Sequence, residues 1–310
     1  MKKKILIIGG SGFVGSNIIK KINHNKYIVY ATSFRSKKKH DGNVKFFRGN
    51  LLNSKFCDRI TKSMDIVVMC AAVSTGAKDI ENNPMRHVDN NVIMNLNILK
   101  VCKKNKVKKF IFLSSNTVYP EGKKSMVETD LNYKMFHKYF NVGWMKIFSE
   151  KLCEMYKNDM KIIIVRPANL YGPFDKFDPE KSKVIPSLIR KFENRKIVEV
   201  WGDGKDVKDF LYIEDFVDGL IKLINKINRF EIFNISSSKP TSLKKIIFIL
   251  QKIYSYKKVK ISFNKKKPSM IPYRKISNKK FKSISKHKFK FSIEAGLNKT
   301  VEWYKKNKDY

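Results

Sequence analysis

The chain has 310 residues, 42% of them apolar and 12% aromatic, and a formal net charge of +39. Its length and apolar content support one large or two modest folded domains, which excludes a disordered or fibrous protein. No apolar run approaches the ~20 residues of a membrane span, and the opening MKKKILIIGG meets glycines with no small-residue cleavage site, so it reads as a strand rather than a signal peptide.

So large a positive charge raises nucleic-acid binding, but its makeup argues against specific recognition. Only nine of the 66 basic residues are arginines, the side chain that grips phosphates and base edges through paired hydrogen bonds. The lysines are spread over expected helix faces and loops, densest at Lys257–Pro268. General attraction to anions is therefore expected, and no specific nucleic-acid partner. Cys57, Cys70, Cys102 and Cys153 lack C-x-x-C or metal-ligand spacing. They read as reduced core thiols of a cytoplasmic protein without a structural metal.

In chain order, short apolar runs alternate with amphipathic stretches. Buried strands are expected at Lys4–Ile8, Tyr27–Ala31, Val44–Arg48, Ile66–Ala71, Lys109–Leu113 and Lys161–Val165. Helices are expected near Val14–Ile22, Asn53–Ser63, Val88–Lys104 and Tyr139–Asn158. This alternation predicts an α/β fold, a doubly wound parallel sheet with helices on both faces. After Arg166, Pro167, Gly172, Pro173, Pro179 and Pro186 interrupt the pattern, and a helix over Val184–Asn194 opens a smaller C-terminal α/β lobe. The expected division is a dinucleotide-binding domain over 1–166 plus about 207–236, and a substrate lobe over 167–206 and 237–310, packed around a cleft.

The first loop carries a specific signal. ILIIGGSGFVGSNII sets Gly9, Gly12 and Gly15 at G-x-x-G-x-x-G spacing between a strand and a helix, with Phe13 and Val14 inside the turn. Glycines there allow a tight turn and close backbone approach, and the helix N-terminus offers free N–H groups to a pyrophosphate. The second strand ends in YATSFRSKKK, with Thr32, Ser33, Arg35 and Lys37–Lys39 but no acid to bond a ribose 2′-hydroxyl. That composition favours a 2′-phosphate and hence NADP, with NAD left open.

With this loop, FIFLSSNTVYP, RPANLYGPFDKFDPEKSKVIPSLIRK and VWGDGKDVKDFLYIED, nearly the whole chain resembles the extended short-chain dehydrogenase/reductases, in particular the NAD-dependent epimerase/dehydratase family and its GDP-fucose synthase-like branch. The resemblance implies a Rossmann domain with a small substrate lobe, a nucleotide-sugar substrate and a homodimer paired through helices such as Tyr139–Asn158. It implies that Asn50 and Leu51 sit beside the adenine, that Ala71 and Ala72 line the cofactor cleft, and that Asn91 occupies a family position in the following helix. Ser115 aligns with the catalytic hydroxyl and Lys146 with the lysine that bonds the nicotinamide ribose. Pro167 and Asn169 fall near the nicotinamide and sugar, while Val184, Leu188, Trp201, Lys208 and Arg274 fall where the family holds base and diphosphate.

Five positions depart from that pattern. The family's proton passes through a tyrosine one turn before the lysine, its pKa lowered by the ammonium; here that position is Val142. Tyr139 is on the same face but about two turns, ~10 Å, from Lys146. The branch's epimerising cysteine and histidine fall at Thr117, a poor base for a C–H beside a ketone, and at Lys183, which serves as acid or base only with a much depressed pKa, while the acid pair of the 4,6-dehydratases falls at Asn116 and Thr117, neither of which ionises. Lys208 replaces an arginine, keeping charge and losing the fork. The readings open on sequence are a C4 reductase or epimerase with a substituted proton path through water, Thr117 or Tyr139, a non-catalytic binder of cofactor and nucleotide sugar, and, remotely, a basic nucleic-acid-binding protein.

Overall fold

Side chains alternate across the first strand, and both sets are apolar: Ile5 and Ile7 enter one core layer, Leu6 and Ile8 the other. A strand buried on both faces needs helices on both. The computed structural model describes residues 1–34, 43–74, 82–194, 197–255, 259–267 and 270–308.

The strands are β1 (Lys3–Ile8), β2 (Tyr27–Ser33), β3 (Val44–Arg48), β4 (Ile66–Met69), β5 (Lys109–Leu113), β6 (Ser125–Met126), β7 (Lys161–Pro167), β8 (Asn169–Tyr171), β9 (Ile197–Trp201), β10 (Val207–Tyr212), β11 (Glu231–Ile235), β12 (Pro240–Ser242), β13 (Lys260–Asn264) and β14 (Tyr273–Ile276). The helices are α1 (Phe13–Lys21), α2 (Ser54–Thr61), α3 (Asp89–Lys104), α4 (Phe140–Met155), α5 (Val184–Asn194), α6 (Ile213–Lys226), α7 (Leu243–Ile253), α8 (Lys279–Ser285) and α9 (Ile293–Lys306). Among the described residues, no helix is long and apolar enough to cross a membrane.

Seven strands form one sheet in the order β11-β7-β5-β4-β1-β2-β3, and every neighbouring pair is parallel. This is the doubly wound sheet of a Rossmann fold. Ile18 and Ile19 of α1 and Val217 and Leu220 of α6 cover one face; Phe56 of α2 and Ile98, Leu99 and Cys102 of α3 cover the other. The strand order reverses between β1 and β4, and the crevice beyond the carboxyl ends of such neighbours is where this architecture binds ligands.

The second lobe is built on a five-stranded sheet, β12-β10-β14-β6 with β8 on β10, and on the pair β13-β9. It differs from the expected division at two strands. Strand β10 lies within 207–236 but pairs with β8, β12 and β14, and only β11 from that stretch joins the large sheet. Strand β6, from within 1–166, pairs with β14. Each short strand bonds the backbone edge that is free beside it, so the two sheets are interlaced along the chain.

Candidate active site

The β1–α1 loop carries the strictest backbone demands. Gly9 has φ +80°, and a Cβ there would meet the Ala71 backbone at 2.8 Å; a Cβ at Gly15 would meet the Gly9 carbonyl oxygen at 2.3 Å. The loops after β1 and β4 are thus pressed together at the switch point. Thr32 at the end of β2 accepts from the Gly9 N–H at 2.9 Å and fixes the turn.

Gly12 precedes α1 without any side-chain cap, and no acid occupies the first turn. A Cβ on Gly12 would meet only the Gly9 carbonyl, at 3.2 Å, and would otherwise stand in open space. The N–H groups of Phe13, Val14 and Gly15 therefore end a helix in the manner that receives a pyrophosphate. These residues fit a dinucleotide cofactor.

The walls of the crevice come from β4 and α3. Ala71 and Ala72 follow β4, half-buried and exposed respectively. Asn91, 2% exposed, clamps their successor: its Oδ1 accepts from the Val73 N–H at 2.8 Å, and its Nδ2 donates to the Val73 and His87 carbonyls. At the adenosine end, Asn50 is exposed and its Oδ1 accepts from the Leu52 N–H at 3.0 Å. The Leu51 side chain is buried in the core with Leu6 and Ile8 of β1 and Val67 and Met69 of β4. Arg35 and Lys37–Lys39, on which the cofactor preference rests, lie outside the described residues.

The chemistry-bearing group gathers beyond β5. Ser115 caps the short turn Asn116–Val118, and its Oγ accepts from the Thr117 N–H at 3.1 Å, which leaves the hydroxyl proton free to be donated. Asn116 ties the turn to β7 through the Pro167 carbonyl at 2.9 Å. Thr117 Oγ is buried and has no hydrogen-bond partner among the described residues. Helix α4 comes close because residue 143 is glycine: a Cβ there would lie 2.9 Å from the Thr117 carbonyl and 2.3 Å from Met135 Sδ.

Lys146 projects from α4 to the same place. Its Nζ donates to the Leu113 carbonyl at 2.9 Å, at the end of β5 two residues before Ser115, and stands 5.0 Å from the Phe112 ring centroid. Burial pushes its pKa down to about 8; Glu150 and Cys153 oppose the fall, and Lys183 adds to it. Helix α4 is a regular α-helix, so Val142 is the residue one turn before the lysine. Tyr139 precedes the helix, and burial pushes its phenol up to about 12, with Arg274 opposing the rise and Asp206 adding to it.

Beneath the site, a buried network had no counterpart in the sequence reading. Arg166 of β7 pairs with Glu150 of α4 through two bonds, 2.9 Å and 2.6 Å, and donates to the Tyr119 hydroxyl at 3.0 Å. Ser114 donates to Glu150, and Tyr119 donates to Asn234 of β11 at 2.7 Å. The one legible signal was the spacing of Glu150, four residues after Lys146 on the same helix face.

On the substrate side the expected residues separate into two groups. Asn169 is half-buried and donates to the Asp209 carbonyl at 2.9 Å; Lys183 is exposed at the start of α5, with Val184 half-buried beside it. Lys208 is held by Asp206 at 3.1 Å. Trp201 is flanked by Lys191 Nζ at 5.8 Å and Lys267 Nζ at 6.0 Å from its ring centroid, so the aromatic face lies in a cationic setting. Leu188 is 3% exposed, turned into the core by the amphipathic α5. Arg274 is 1% exposed and spends both Nη groups on the Pro120 and Tyr119 carbonyls, at 2.7 and 3.0 Å. These bonds join β14 to the turn after Ser115.

The sequence pattern of the NAD dependent epimerase/dehydratase family matches residues 5–236. The chain is 29% identical over 317 residues to GDP-L-fucose synthase of Sinorhizobium fredii, covering 98% of this chain and 96% of that protein. It is 28% identical over 321 residues to GDP-L-colitose synthase of Yersinia pseudotuberculosis, covering 99% and 100%. Among solved structures, it superposes on UDP-glucose 4-epimerase of Thermotoga maritima, determined with UDP-glucose, with a TM-score of 0.88 and 26% identity over 98% of this chain and 99% of that one.

Proposed function

Because this chain belongs to the NAD dependent epimerase/dehydratase family, we propose that it is a nicotinamide-dependent enzyme that reduces or epimerises a nucleotide sugar at C4. NADP is the proposed cofactor, with NAD the alternative that its basic second-strand end disfavours. The observation that carries the reading is the bond of Lys146 to the Leu113 carbonyl at the end of β5, two residues before Ser115, together with a glycine loop fitted to a pyrophosphate.

When bound, the nicotinamide supplies or removes a hydride at the sugar carbon. The chain's own share is positioning and proton transfer. Ser115 donates its hydroxyl proton in a hydrogen bond to the C4 oxygen, and Lys146 holds the ribose hydroxyls from the floor of the cleft. Asn169 and Lys183 flank the sugar, while Val184, Trp201 and Lys208 take the nucleotide, with Trp201 as a stacking face between two lysines. Neither Asn116 nor Thr117 ionises, so dehydration and 3,5-epimerisation are not part of the proposal.

The test is a binding titration with NADPH and NADH followed by incubation with GDP-, UDP- and dTDP-4-keto-hexoses and the corresponding hexoses. Absorbance at the reduced-nicotinamide band and product NMR read the outcome. Tighter NADPH binding and conversion of at least one sugar nucleotide are expected. Val142 motivates a second reading, a binder of the same ligands without turnover; binding with no conversion across the panel would establish it in place of the first.

A further inference from the structure

We propose that a cleft between α6 and the segment after α8 binds a small soluble phosphorylated molecule, with the His287 ring bonding a phosphoryl oxygen and the surrounding lysines balancing its charge. The cleft is separate from the candidate active site. Phe13, beside the phosphate loop, begins α1, and Lys21, at the cleft, ends it. The two ends are about 12 Å apart along the helix axis.

The local sequence builds the cleft. Helix α8 is closed by Lys286 in a left-handed conformation, with φ 51°. KHKFK (286–290) then continues with Lys286, Lys288 and Lys290 exposed, His287 buried and Phe289 half-buried. Helix α6 adds Asp218 and Lys222, one turn apart on one face. With Lys21 of α1, these segments enclose about 440 Å³, room for a small molecule. Five lysines and one aspartate line it. Asp218 is shared by Lys21 at 3.6 Å and Lys290 at 3.2 Å, and Glu214 holds Lys21 at 3.1 Å. Lys222, Lys286 and Lys288 have no ion-pair partner among the described residues.

In a chain of net charge +39, lysines alone single out no cleft; His287 does. It is 4% exposed, and neither Nδ1 nor Nε2 has a hydrogen-bond partner among the described residues. The Phe281 and Phe289 rings, with centroids 5.6 and 4.9 Å away, bring no oxygen or nitrogen to it. The Ser285 hydroxyl accepts from the His287 backbone N–H at 3.1 Å and not from the ring. A neutral imidazole has one donor and one acceptor, a charged one two donors, and burying them unpaired is costly. The charged groups acting on the ring are Lys222, Asp215 and Asp218 of α6 and Lys290 of its own segment. Lys222, Asp218 and Lys290 also line the cleft, so the ring borders it. Asp215 is occupied by the Lys290 and Phe291 N–H groups, at 2.8 and 3.0 Å.

A phosphoryl group answers both features. Its oxygens accept from the ring N–H groups, and its charge of about −2 meets the lysines that no acid neutralises. The recessed ring also selects the size of the ligand. A membrane surface or a nucleic-acid backbone meets the exposed lysine tips, whereas a ring 4% exposed is reached only by a molecule small enough to enter the cleft. Without ligand, burial holds the ring below the usual histidine range, Lys222 and Lys290 adding to the fall and Asp215 and Asp218 opposing it. A bound anion reverses that balance, because opposite charge favours the protonated ring.

The probes are inorganic phosphate and pyrophosphate, titrated at constant ionic strength into the full-length protein carrying isotope-labelled histidine. The chain has five histidines, and the NMR ring signal of His287 is the one missing from H287Q. This readout is local, so pyrophosphate held at the Gly9–Gly15 loop does not enter it. Saturable movement of the His287 signal is expected, with none from chloride at matched ionic strength. Saturating pyrophosphate should raise the titration midpoint of the ring by about one pH unit. K222M/K288M keeps His287 and changes only exposed side chains, and should weaken pyrophosphate binding at the ring by roughly tenfold or more. K245M/K252M, which removes the same charge from the exposed face of α7, should leave it within about twofold. A His287 signal that does not move, one that chloride moves equally, or equal losses in the two double variants overturns the proposal. So does a signal moved by phosphatidylglycerol vesicles or by duplex DNA but not by pyrophosphate, which assigns the cleft to a surface or a polymer. None of these outcomes bears on the proposed reaction at the sugar.

Discussion

Asp209 illustrates what burial does to a single residue in this molecule. It is fully buried on β10, its Oδ1 accepts from the Ser237 N–H and hydroxyl at 3.1 and 2.6 Å, and its Oδ2 has no hydrogen-bond partner among the described residues. Burial raises its pKa from 3.8 to about 6, against the bonds from Ser237. Folding therefore favours the protonated form, a contribution complete below pH ~4 and lost as pH rises through about 6. Asn in its place keeps the acceptor and removes the charge. Between pH 5 and pH 8, wild type should lose about 1 kcal/mol more stability than Asp209→Asn, measured by urea unfolding at the two pH values. Residue by residue, legibility in the sequence followed backbone demand. Gly9 and Gly15 were readable because only a residue without a side chain fits there. Arg274 and Leu188 were not, because a residue type does not reveal whether a neighbouring segment will bury it.

At the scale of elements, the helix α4 and the strands β5 and β7 form one unit under the site. Glu150 and Arg166 are both almost fully buried, and their paired bonds join α4 to β7 while Tyr119 and Asn234 extend the link to β11. Breaking a buried pair leaves an uncompensated charge, which costs more than the pair's own net contribution. Glu150→Gln is expected to destabilise by about 3 kcal/mol, read as a lowered urea midpoint at unchanged m-value. Six of the seven strands of the large sheet were legible, with ends within a few residues of expectation, because a strand buried on both faces writes a continuous apolar run; β11 was not among the expected strands. Strands β6, β8 and β12 were not legible. Each has two or three residues, too few for any periodicity to register, and each exists because a partner edge was available.

On the scale of the whole molecule, α3 and α4 lie side by side and expose an apolar face. Ile93 and Leu96 of α3 and Phe140, Trp144, Phe148 and Met155 of α4 are all more than a third exposed. A contiguous patch of that kind on adjacent helices suits a two-fold pairing of copies, with the same patch on each side. Light scattering coupled to size exclusion should give a dimer mass, and Phe148→Glu should shift it to monomer with the far-UV spectrum unchanged. A wild-type monomer at micromolar concentration would dispose of the pairing. The lysine-rich surface is expected to act at this scale too, attracting anions in general. By itself the sequence determined the doubly wound sheet, the phosphate loop and the helix that carries Lys146, because periodicity and glycine spacing are local properties of a chain. Only the tertiary structure decided which expected groups are free to act. It buried Arg274 and Leu188, set Tyr139 ahead of the helix in the field of Arg274, and brought Lys146 to the Leu113 carbonyl, two residues before Ser115. Those outcomes depend on segments far apart in sequence, whose packing sets both solvent access and the electric field at each group.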